Sequence, residues 1–209
     1  MVPSFDEERA FEAQGYRYIA GIDEVGRGAL AGPVAAAAVI LPADIDAPWL
    51  PLVRDSKELT PQKRQILSRH IKKVAITVGI GFVDSAVVDG QGIVKATRLA
   101  MKLAIRQLSP APEILLIDYF RLPGVKLPQK GVINGDSLCF SIACASIVAK
   151  VARDSLMKKL DRTYPGYRFA RNKGYGTEEH IACLRRFGAC PIHRLSFQPV
   201  RDIVEGRLL

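Results

Sequence analysis

The chain has 209 residues, of which 48% are hydrophobic and 24% charged, a balance typical of globular proteins rather than of disordered or fibrous ones. Its 30 Lys and Arg residues against 21 Asp and Glu give a net charge of +9, which is common in proteins that meet nucleic acid but not specific to them. No apolar run reaches the roughly 18 residues of a membrane span, and the N-terminal segment has no apolar signal core. We therefore expect a cytoplasmic protein without membrane association.

The first half of the chain predicts two paired strands and a helix. Residues 16–24 (YRYIAGIDE) alternate apolar and polar side chains, and residues 34–41 (VAAAAVIL) are apolar throughout, so we expect two strands joined as a hairpin through the Gly-rich segment between them. Thr60 and Pro61 are typical of an N-cap and a first helical position, which predicts a helix through residue 73. Residues 74–83 predict a third strand.

The second half predicts a strand between two longer helices. Residues 92–108 form an amphipathic helix with a basic stripe, which either contacts phosphate or is only a solvated face; its members are Lys95, Arg98, Lys102 and Arg106. A buried strand, ILLID at 114–118, ends in a carboxylate, and a long helix follows at about 138–160. Shorter helices are expected at 177–187 and 200–207.

No linker or repeat divides the chain. We expect one domain over 1–209, with an α/β body at about 15–163 and a helical C-terminal portion at about 164–209. Cys139, Cys144, Cys183 and Cys190 form no C-x-x-C pair, so we expect free thiols and no zinc site. The three histidines are scattered along the chain and are expected to be surface or packing residues rather than ligands; they are His70, His180 and His193.

Four acids stand beside glycine or at the end of an apolar strand: Asp23, Glu24, Asp118 and Asp136. A carboxylate in apolar surroundings is costly unless a cation compensates its charge. Oxygen ligands without Cys or His nearby favour Mg²⁺ or Mn²⁺ over zinc. The pattern therefore predicts a shared divalent-metal site of the kind that positions phosphates.

Two structural readings of these acids stay open at this stage. Asp136 equally suits an N-cap for the helix that follows it. Asp23 and Glu24 point to opposite faces of a regular strand, so both reach one site only if the chain turns there, as Gly26 and Gly28 permit.

Five segments, in consistent order over about residues 17–200, resemble the ribonuclease HII family of type 2 ribonucleases H. They are GIDEVGRGALAGPVAAAAV, RDSKELTPQKR, NGDSLCFSIACASIVAKVARD, NKGYGTEEH and HRLSFQPV. Two departures stand out. Tyr119 and Phe120 follow Asp118 where the family commonly has a small residue, often Gly, and Asn134 precedes Gly135 where Lys is commoner.

The resemblance implies an α/β fold, an RNase H-like mixed β-sheet flanked by helices, with a helical C-terminal portion completing the substrate groove. It also makes the four acids the catalytic residues and the ligands of Mn²⁺ or Mg²⁺. The implied enzyme hydrolyses the phosphodiester 5′ of a ribonucleotide in RNA/DNA hybrids and in duplex DNA with embedded ribonucleotides. Two metal ions would give 3′-hydroxyl and 5′-phosphate ends, in ribonucleotide removal and RNA primer removal.

Substrate contacts are expected from three groups of residues. Gly26, Arg27 and Gly28 bring backbone groups close to the 2′-hydroxyl, the handle that distinguishes RNA from DNA. The resemblance places Tyr175, in KGYGT, against the sugar next to the cut; the structural alternative, less favoured once the motif is counted, is packing in a Gly-rich loop. Phosphate contacts are expected from Ser56, Lys57, Lys150, Arg153 and Arg194.

Three other functions compete with this one. A resolvase or other nuclease of the same fold would act on DNA junctions, but the GRG and GYG segments argue against it. A non-catalytic RNA- or DNA-binding protein would use its acids only as caps or surface residues. A ribonuclease HIII relative would carry an additional N-terminal substrate-binding domain, whereas only a short segment precedes Asp23. We expect a monomer. Docking to a replication clamp stays open, since the C-terminal segment VEGRLL has no clear aromatic motif for it.

Overall fold

The computed structural model describes residues 2–207 and contains a five-stranded mixed sheet in the order β3-β2-β1-β4-β5. The strands are β1 (Ile19–Val25), β2 (Val34–Ile40), β3 (Thr77–Val83), β4 (Ile114–Asp118) and β5 (Gln129–Val132). β2 is antiparallel to both β1 and β3, whereas β4 runs parallel to β1 and to β5. The predicted mixed sheet and the hairpin between its first two strands are confirmed.

Helices flank both faces of the sheet, as the α/β prediction requires. They are α1 (Asp6–Glu12), α2 (Pro61–Val74), α3 (Ser85–Gln91), α4 (Ile93–Ile105), α5 (Gly135–Leu138), α6 (Phe140–Thr163), α7 (Phe169–Asn172), α8 (Glu178–Phe187) and α9 (Val200–Val204). The predicted N-cap of α2 is confirmed, because the Thr60 hydroxyl accepts a hydrogen bond from the Lys63 N–H at 3.3 Å. No helix in the described part of the chain is long and apolar enough to cross a membrane.

The alanine-rich strand β2 separates two cores. Ala36 and Ala38 face α4, whereas Ala37 and Val39 face α2 and α6, as the alternation of side chains along a strand requires. Small side chains on β2 let helices approach the sheet closely from both sides. The residues of β2 are accordingly buried along its whole length.

A glycine on β1 fixes how closely α6 approaches the sheet. A Cβ on Gly21 would lie 2.2 Å from the carbonyl carbon of Ser141, in the first turn of α6. The contact places the beginning of this 24-residue helix directly against the central strand. Residues two to three turns further along α6 therefore lie near the end of β1.

The structure also contains elements that the sequence patterns did not predict. The helices α1, α3 and α7 and the edge strand β5 belong to this group. The predicted helix at about 138–160 divides into a short α5 and a longer α6, and α9 ends at Val204 rather than at residue 207. β5 has the sequence QKGV and is largely exposed, so it lacks the apolar alternation that reveals a strand.

Residues beyond Pro165 pack onto the loop that joins β1 to β2. Ala31 in this loop forms an isolated antiparallel bridge with His193, and the Leu30 and Ala31 N–H groups both donate to the Gly174 carbonyl, at 2.7 and 3.2 Å. The C-terminal portion thus lies beside the end of the sheet where β1 terminates. The predicted boundary near residue 164 stays a prediction.

Candidate active site

One cavity of about 410 Å³ opens where β1 and β4 end, and all four predicted acids line it. β1 and β4 are parallel neighbours with Ile22 opposite Ile117, so Asp23 and Asp118 come next to each other at the same edge of the sheet. Asp136 reaches the cavity from α5. The complete lining is Asp23, Glu24, Val25, Gly26, Arg27, Ser56, Lys57, Asp118, Asp136, Ser146, Lys150 and Tyr175.

Backbone donors and one arginine hold the acids in place. The Glu24 N–H donates to Asp23 Oδ1 at 2.7 Å, and Arg27 Nη1 lies 3.3 Å from Glu24 Oε1. Asp118 Oδ1 accepts from the Gly135 N–H at 2.7 Å. Both members of the adjacent pair on β1 therefore reach the cavity. Asp136 lies in the first turn of α5, but the N-cap residue is Asn134, so the N-cap reading of Asp136 is not confirmed.

The cavity concentrates more negative charge than its surroundings compensate. Burial raises the pKa of Asp23 well above its usual range, and the charges of Glu24 and Asp118 raise it further. Burial also raises the pKa of Glu24 to about 7, although Arg27 partly offsets it. The pKa of Asp118 is raised by burial against the opposing hydrogen bond from Gly135.

Lys57 places an exposed ammonium group on a long, flexible side chain beside the acids of the cavity. Its Nζ lies 3.4 Å from Asp136 Oδ2 and 3.9 Å from Asp55 Oδ2, while its side chain is 80% exposed. Partial burial lowers the pKa of Lys57, but the charges of Asp55 and Asp136 outweigh this effect and raise it overall. Ion pairs this exposed are weak, so Lys57 is free to turn toward another anion.

The residues of the cavity fit a hard divalent cation. All the acidic donors are carboxylate oxygens, and Glu24 Oε2 is buried without a hydrogen-bond partner. Among residues 2–207, no three His, Cys, Asp or Glu side chains converge closely enough to ligate one ion as they are placed. Carboxylates without a counter-charge repel one another. A cation would supply the charge that the cavity lacks.

Two arginines that we predicted to contact phosphate are buried instead, and that prediction is corrected. Arg153 and Arg194 are both 0% exposed, so neither guanidinium reaches the surface. Arg153 donates to the carbonyls of Pro33, Lys173 and Ala31 at 2.8, 2.9 and 3.1 Å. It therefore ties the loop between β1 and β2 to the segment before Tyr175.

Arg194 holds the GRG segment from the C-terminal side. Its Nη1 donates to the Arg27 carbonyl and its Nη2 to the Gly26 carbonyl, both at 2.7 Å. Burial, together with the charge of Arg153, lowers the pKa of Arg194 to about 10, so it stays charged at neutral pH. Charged donors make strong hydrogen bonds, which gives this loop a fixed shape.

The two glycines of GRG have different surroundings. Gly26 has a φ of +87°, and a Cβ there would lie 2.1 Å from Arg153 Nε, so the protein itself requires glycine at this position. Gly28 does not line the cavity, and a Cβ there would meet no atom within 4 Å. Open space at Gly28 is available to a ligand.

Tyr175 packs against basic residues of α6 at the opposite end of the lining. Lys150 Nζ lies 5.6 Å and the Arg153 guanidinium carbon 5.4 Å from the centre of its ring, which are cation–π distances. Lys150 also donates to Asp154 Oδ1 at 2.8 Å. Of the predicted phosphate ligands, Lys57 and Lys150 thus have charged groups at the cavity, and Ser56 lines it while buried.

Sequence reasoning missed Ser146, which lines the cavity from α6 one helical turn before Lys150. Its hydroxyl lies 2.9 Å from that of Ser56. A hydroxyl within an otherwise small and apolar helical run was the available signal. The basic stripe on α4 does not contribute, because none of its residues lines the cavity and Lys102 donates to the Pro123 carbonyl at 2.8 Å.

A mixed sheet with clustered carboxylates at the ends of two adjacent parallel strands defines an enzyme of the ribonuclease H class. The chain belongs to the ribonuclease HII family, because the family model described as Ribonuclease HII matches residues 20–200. A Ribonuclease HII of Dehalococcoides mccartyi is 54% identical over 206 residues, covering 99% of this chain and 97% of that protein. The predicted family and the ribonuclease H activity on RNA/DNA hybrids are confirmed.

Solved structures support the fold. The RNase HII of Archaeoglobus fulgidus, in a complex with PCNA, matches with a TM-score of 0.73 and 24% identity over 88% of this chain and 96% of that chain. Bst-RNase HIII in complex with Mn²⁺ matches with a TM-score of 0.64 and 20% identity over 91% of this chain and 70% of that one. At these identities the likeness concerns the fold, and PCNA and Mn²⁺ are partners of those two proteins.

Proposed function

We propose that this enzyme hydrolyses the phosphodiester 5′ of a ribonucleotide, in RNA/DNA hybrids and in duplex DNA with embedded ribonucleotides, and leaves 3′-hydroxyl and 5′-phosphate ends. The observation that carries the proposal is the convergence of Asp23, Glu24, Asp118 and Asp136 on one cavity. Such an activity suits ribonucleotide removal and RNA primer removal. It acts where duplex DNA is found, in keeping with the expected cytoplasmic location.

The four acids are proposed to hold two divalent cations, Mn²⁺ or Mg²⁺, and the fit rests on their oxygen-only donor set and on the unpaired Glu24 Oε2. Bound there, such ions would activate the attacking water and stabilise the charge on the leaving oxygen. Arg27 limits the freedom of Glu24 through its contact with Oε1. The Gly135 N–H fixes one oxygen of Asp118, which leaves the other facing the cavity.

Basic side chains around the cavity are proposed to bind the substrate backbone. Lys57 is well placed because its exposed ammonium already bridges two carboxylates and can exchange them for a phosphate. Lys150 lies beside Tyr175, so it would contact a phosphate next to the sugar that Tyr175 packs against. Ser56, adjacent to Lys57, offers a hydroxyl at the same wall.

Recognition of the ribonucleotide is proposed to come from backbone N–H groups of the GRG segment. Arg194 occupies the carbonyls of Gly26 and Arg27. Within residues 2–207, no backbone carbonyl accepts a hydrogen bond from the N–H of Arg27 or Gly28. Two donors on a rigid loop, with open space at Gly28, can reach a 2′-hydroxyl. Since one chain supplies the whole lining, we propose a monomer in one domain, with the C-terminal portion closing the groove.

The test is cleavage of a DNA duplex that carries a single ribonucleotide, with Mn²⁺ and then with excess chelator. We expect a single cut on the 5′ side of the ribonucleotide, a product that a 3′-hydroxyl-dependent polymerase extends, and no cut with chelator. An all-DNA duplex and a DNA junction should remain intact. Cutting of the junction instead would favour a resolvase, and metal-dependent binding without cleavage would favour a binding protein.

Asp118→Asn identifies the acids as the source of the activity. We expect a loss of at least about a hundredfold in kcat, the scale of removing one electrostatic contact to a transition state. Asp44→Asn, at an exposed carboxylate outside the cavity lining, is the matched control and should cleave like the parent. Full activity of a folded Asp118→Asn protein would refute the assignment.

A further inference from the structure

Tyr119, the residue directly after Asp118, has a backbone conformation that suits glycine rather than tyrosine. Its φ is +59°, and the Phe120 N–H donates to the Asp118 carbonyl across it at 2.6 Å. This is a three-residue γ-turn with a positive φ at its centre, a strained turn for a residue with a bulky side chain. Glycine adopts it without strain.

The side chain of Tyr119 makes few contacts that would offset the strain of its positive φ. Tyr119 is 69% exposed, and its nearest aromatic partner is Phe120, at a centroid distance of 5.8 Å and nearly perpendicular. The neighbouring Ile133 is 68% exposed, and it follows Val132, whose carbonyl accepts from the Tyr119 N–H at 2.9 Å. A strained residue with an exposed ring beside a catalytic acid indicates a function rather than a packing role.

A chain of contacts connects this ring to the acid cluster. The guanidinium carbon of Arg27 lies 4.8 Å from the centre of the buried Phe120 ring, and Arg27 Nη1 lies 3.3 Å from Glu24 Oε1. Tyr119 is thus separated from the cavity by one phenyl ring and one guanidinium. Arg27 lines the cavity, whereas Tyr119 and Phe120 do not.

We propose that the Tyr119 ring, with Ile133 beside it, is a substrate contact that packs on the sugars of the duplex flanking the cleaved bond. This inference rests on the proposed function and extends it to a residue outside the cavity lining. Sugar edges are accessible in the wide, shallow minor groove of a hybrid duplex. An exposed ring meets them through apolar contact, whereas Lys57 and Lys150, in the cavity lining, would bind the phosphates.

Replacement by glycine separates this role from a structural one. Tyr119→Gly removes the ring and relieves the positive φ, so the thermal midpoint should stay the same or rise. We expect the KM for a hybrid duplex to increase about fivefold or more, on the scale of an aromatic contact to nucleic acid, with kcat nearly unchanged. Tyr119→Phe keeps the ring and should keep the parental KM, and Tyr119→Ala, which keeps the strain, should match Tyr119→Gly in KM.

The salt dependence of KM supplies the second readout. Because the contact is apolar, its loss should leave the slope of log KM against log salt unchanged, whereas loss of a phosphate contact reduces it. A parental KM in Tyr119→Gly would overturn the inference, and so would a reduced salt slope. Asp118→Asn distinguishes failure of the proposed function from failure of the Tyr119 contact. If Asp118→Asn is inactive while Tyr119→Gly keeps the parental KM, only the Tyr119 contact is refuted.

Discussion

Nε2 of His193 lies 3.1 Å from Nε2 of His180, and both rings are buried. The Cys190 N–H donates to His193 Nδ1 at 2.9 Å, a shorter contact than the 3.3 Å from this nitrogen to the Cys190 carbonyl, so we assign the proton of His193 to Nε2. That proton must be donated to His180 Nε2. His180 is then protonated on Nδ1, which lies 2.9 Å from the Tyr175 carbonyl. The pair therefore links Cys190 to the backbone of Tyr175, with opposite tautomers assigned to the two rings.

The first prediction concerns these tautomers and their titration. Burial lowers the pKa of His193 to about 4, assisted by the charge of His180, and burial also lowers that of His180. The unfolded chain protonates His193 near pH 6.5 and the folded chain only near 4, so His193 makes stability fall as pH falls between those values, and the lowered pKa of His180 acts in the same direction. Long-range ¹H–¹⁵N spectra at pH 6 should show opposite neutral tautomers. Titration of His193 near pH 6.5 would contradict this arrangement.

A matched pair of substitutions at His180 tests what the link does. In His180→Asn the amide occupies the place of Nδ1 and can still donate to the Tyr175 carbonyl, whereas in His180→Gln it reaches only the place of Nε2. We expect both variants to lose thermal stability, since each leaves one buried group unpaired. The KM for a hybrid should rise in His180→Gln and stay near the parental value in His180→Asn. Equal KM values would show that the pair stabilises the fold without positioning Tyr175.

The convergence of the acids on one cavity is predictable from the sequence in part, because the positions of Asp23 and Asp118 follow from local rules. ILLID is an apolar strand ending in a carboxylate, and the ends of adjacent parallel strands meet at one edge of the sheet. Arg153 and Arg194 show where such rules fail. Their partners are backbone carbonyls up to 168 positions away, and no local pattern distinguishes an arginine that binds such carbonyls from one that binds phosphate. The backbone conformations of Tyr119 and Asn134 could not be predicted locally either, since their positive φ values are set by the turns around the site.

The buried role of Arg194 gives a prediction that separates it from Lys150. Arg194→Lys cannot reproduce the forked contacts to Gly26, Arg27 and Gly32, so we expect it to lower the free energy of unfolding by at least about 2 kcal/mol. Chemical denaturation measures this loss. Lys150→Ala should reduce the salt slope of KM by about one, with a smaller loss of stability from its broken ion pair with Asp154. If Arg194→Lys instead reduced the salt slope of KM and left the free energy of unfolding unchanged, Arg194 would be a phosphate ligand after all.

Charge repulsion in the cavity makes Glu24 costly to the fold when no cation is bound. Burial, and after it the charge of Asp118, raises the pKa of Glu24 from 4.5 to about 7, so the folded state holds a proton that the unfolded chain releases earlier, and stability falls as pH rises between those values. In chelator at pH 8, Glu24→Gln should therefore unfold at a higher temperature than the parent. Near pH 4 the two midpoints should approach each other, since the carboxyl group is then protonated in both states.

Added Mn²⁺ should reverse this order. A ligand that binds only the folded state raises its midpoint with concentration, and the parent, which keeps all four carboxylates, should gain more from Mn²⁺ than Glu24→Gln does. Asp44→Asn should respond as the parent does, because its carboxylate is exposed and lies outside the cavity lining. If Mn²⁺ raised the thermal midpoints of the parent and of Glu24→Gln equally, the ion would bind elsewhere. The charge of Glu24 would then have to be compensated by another group.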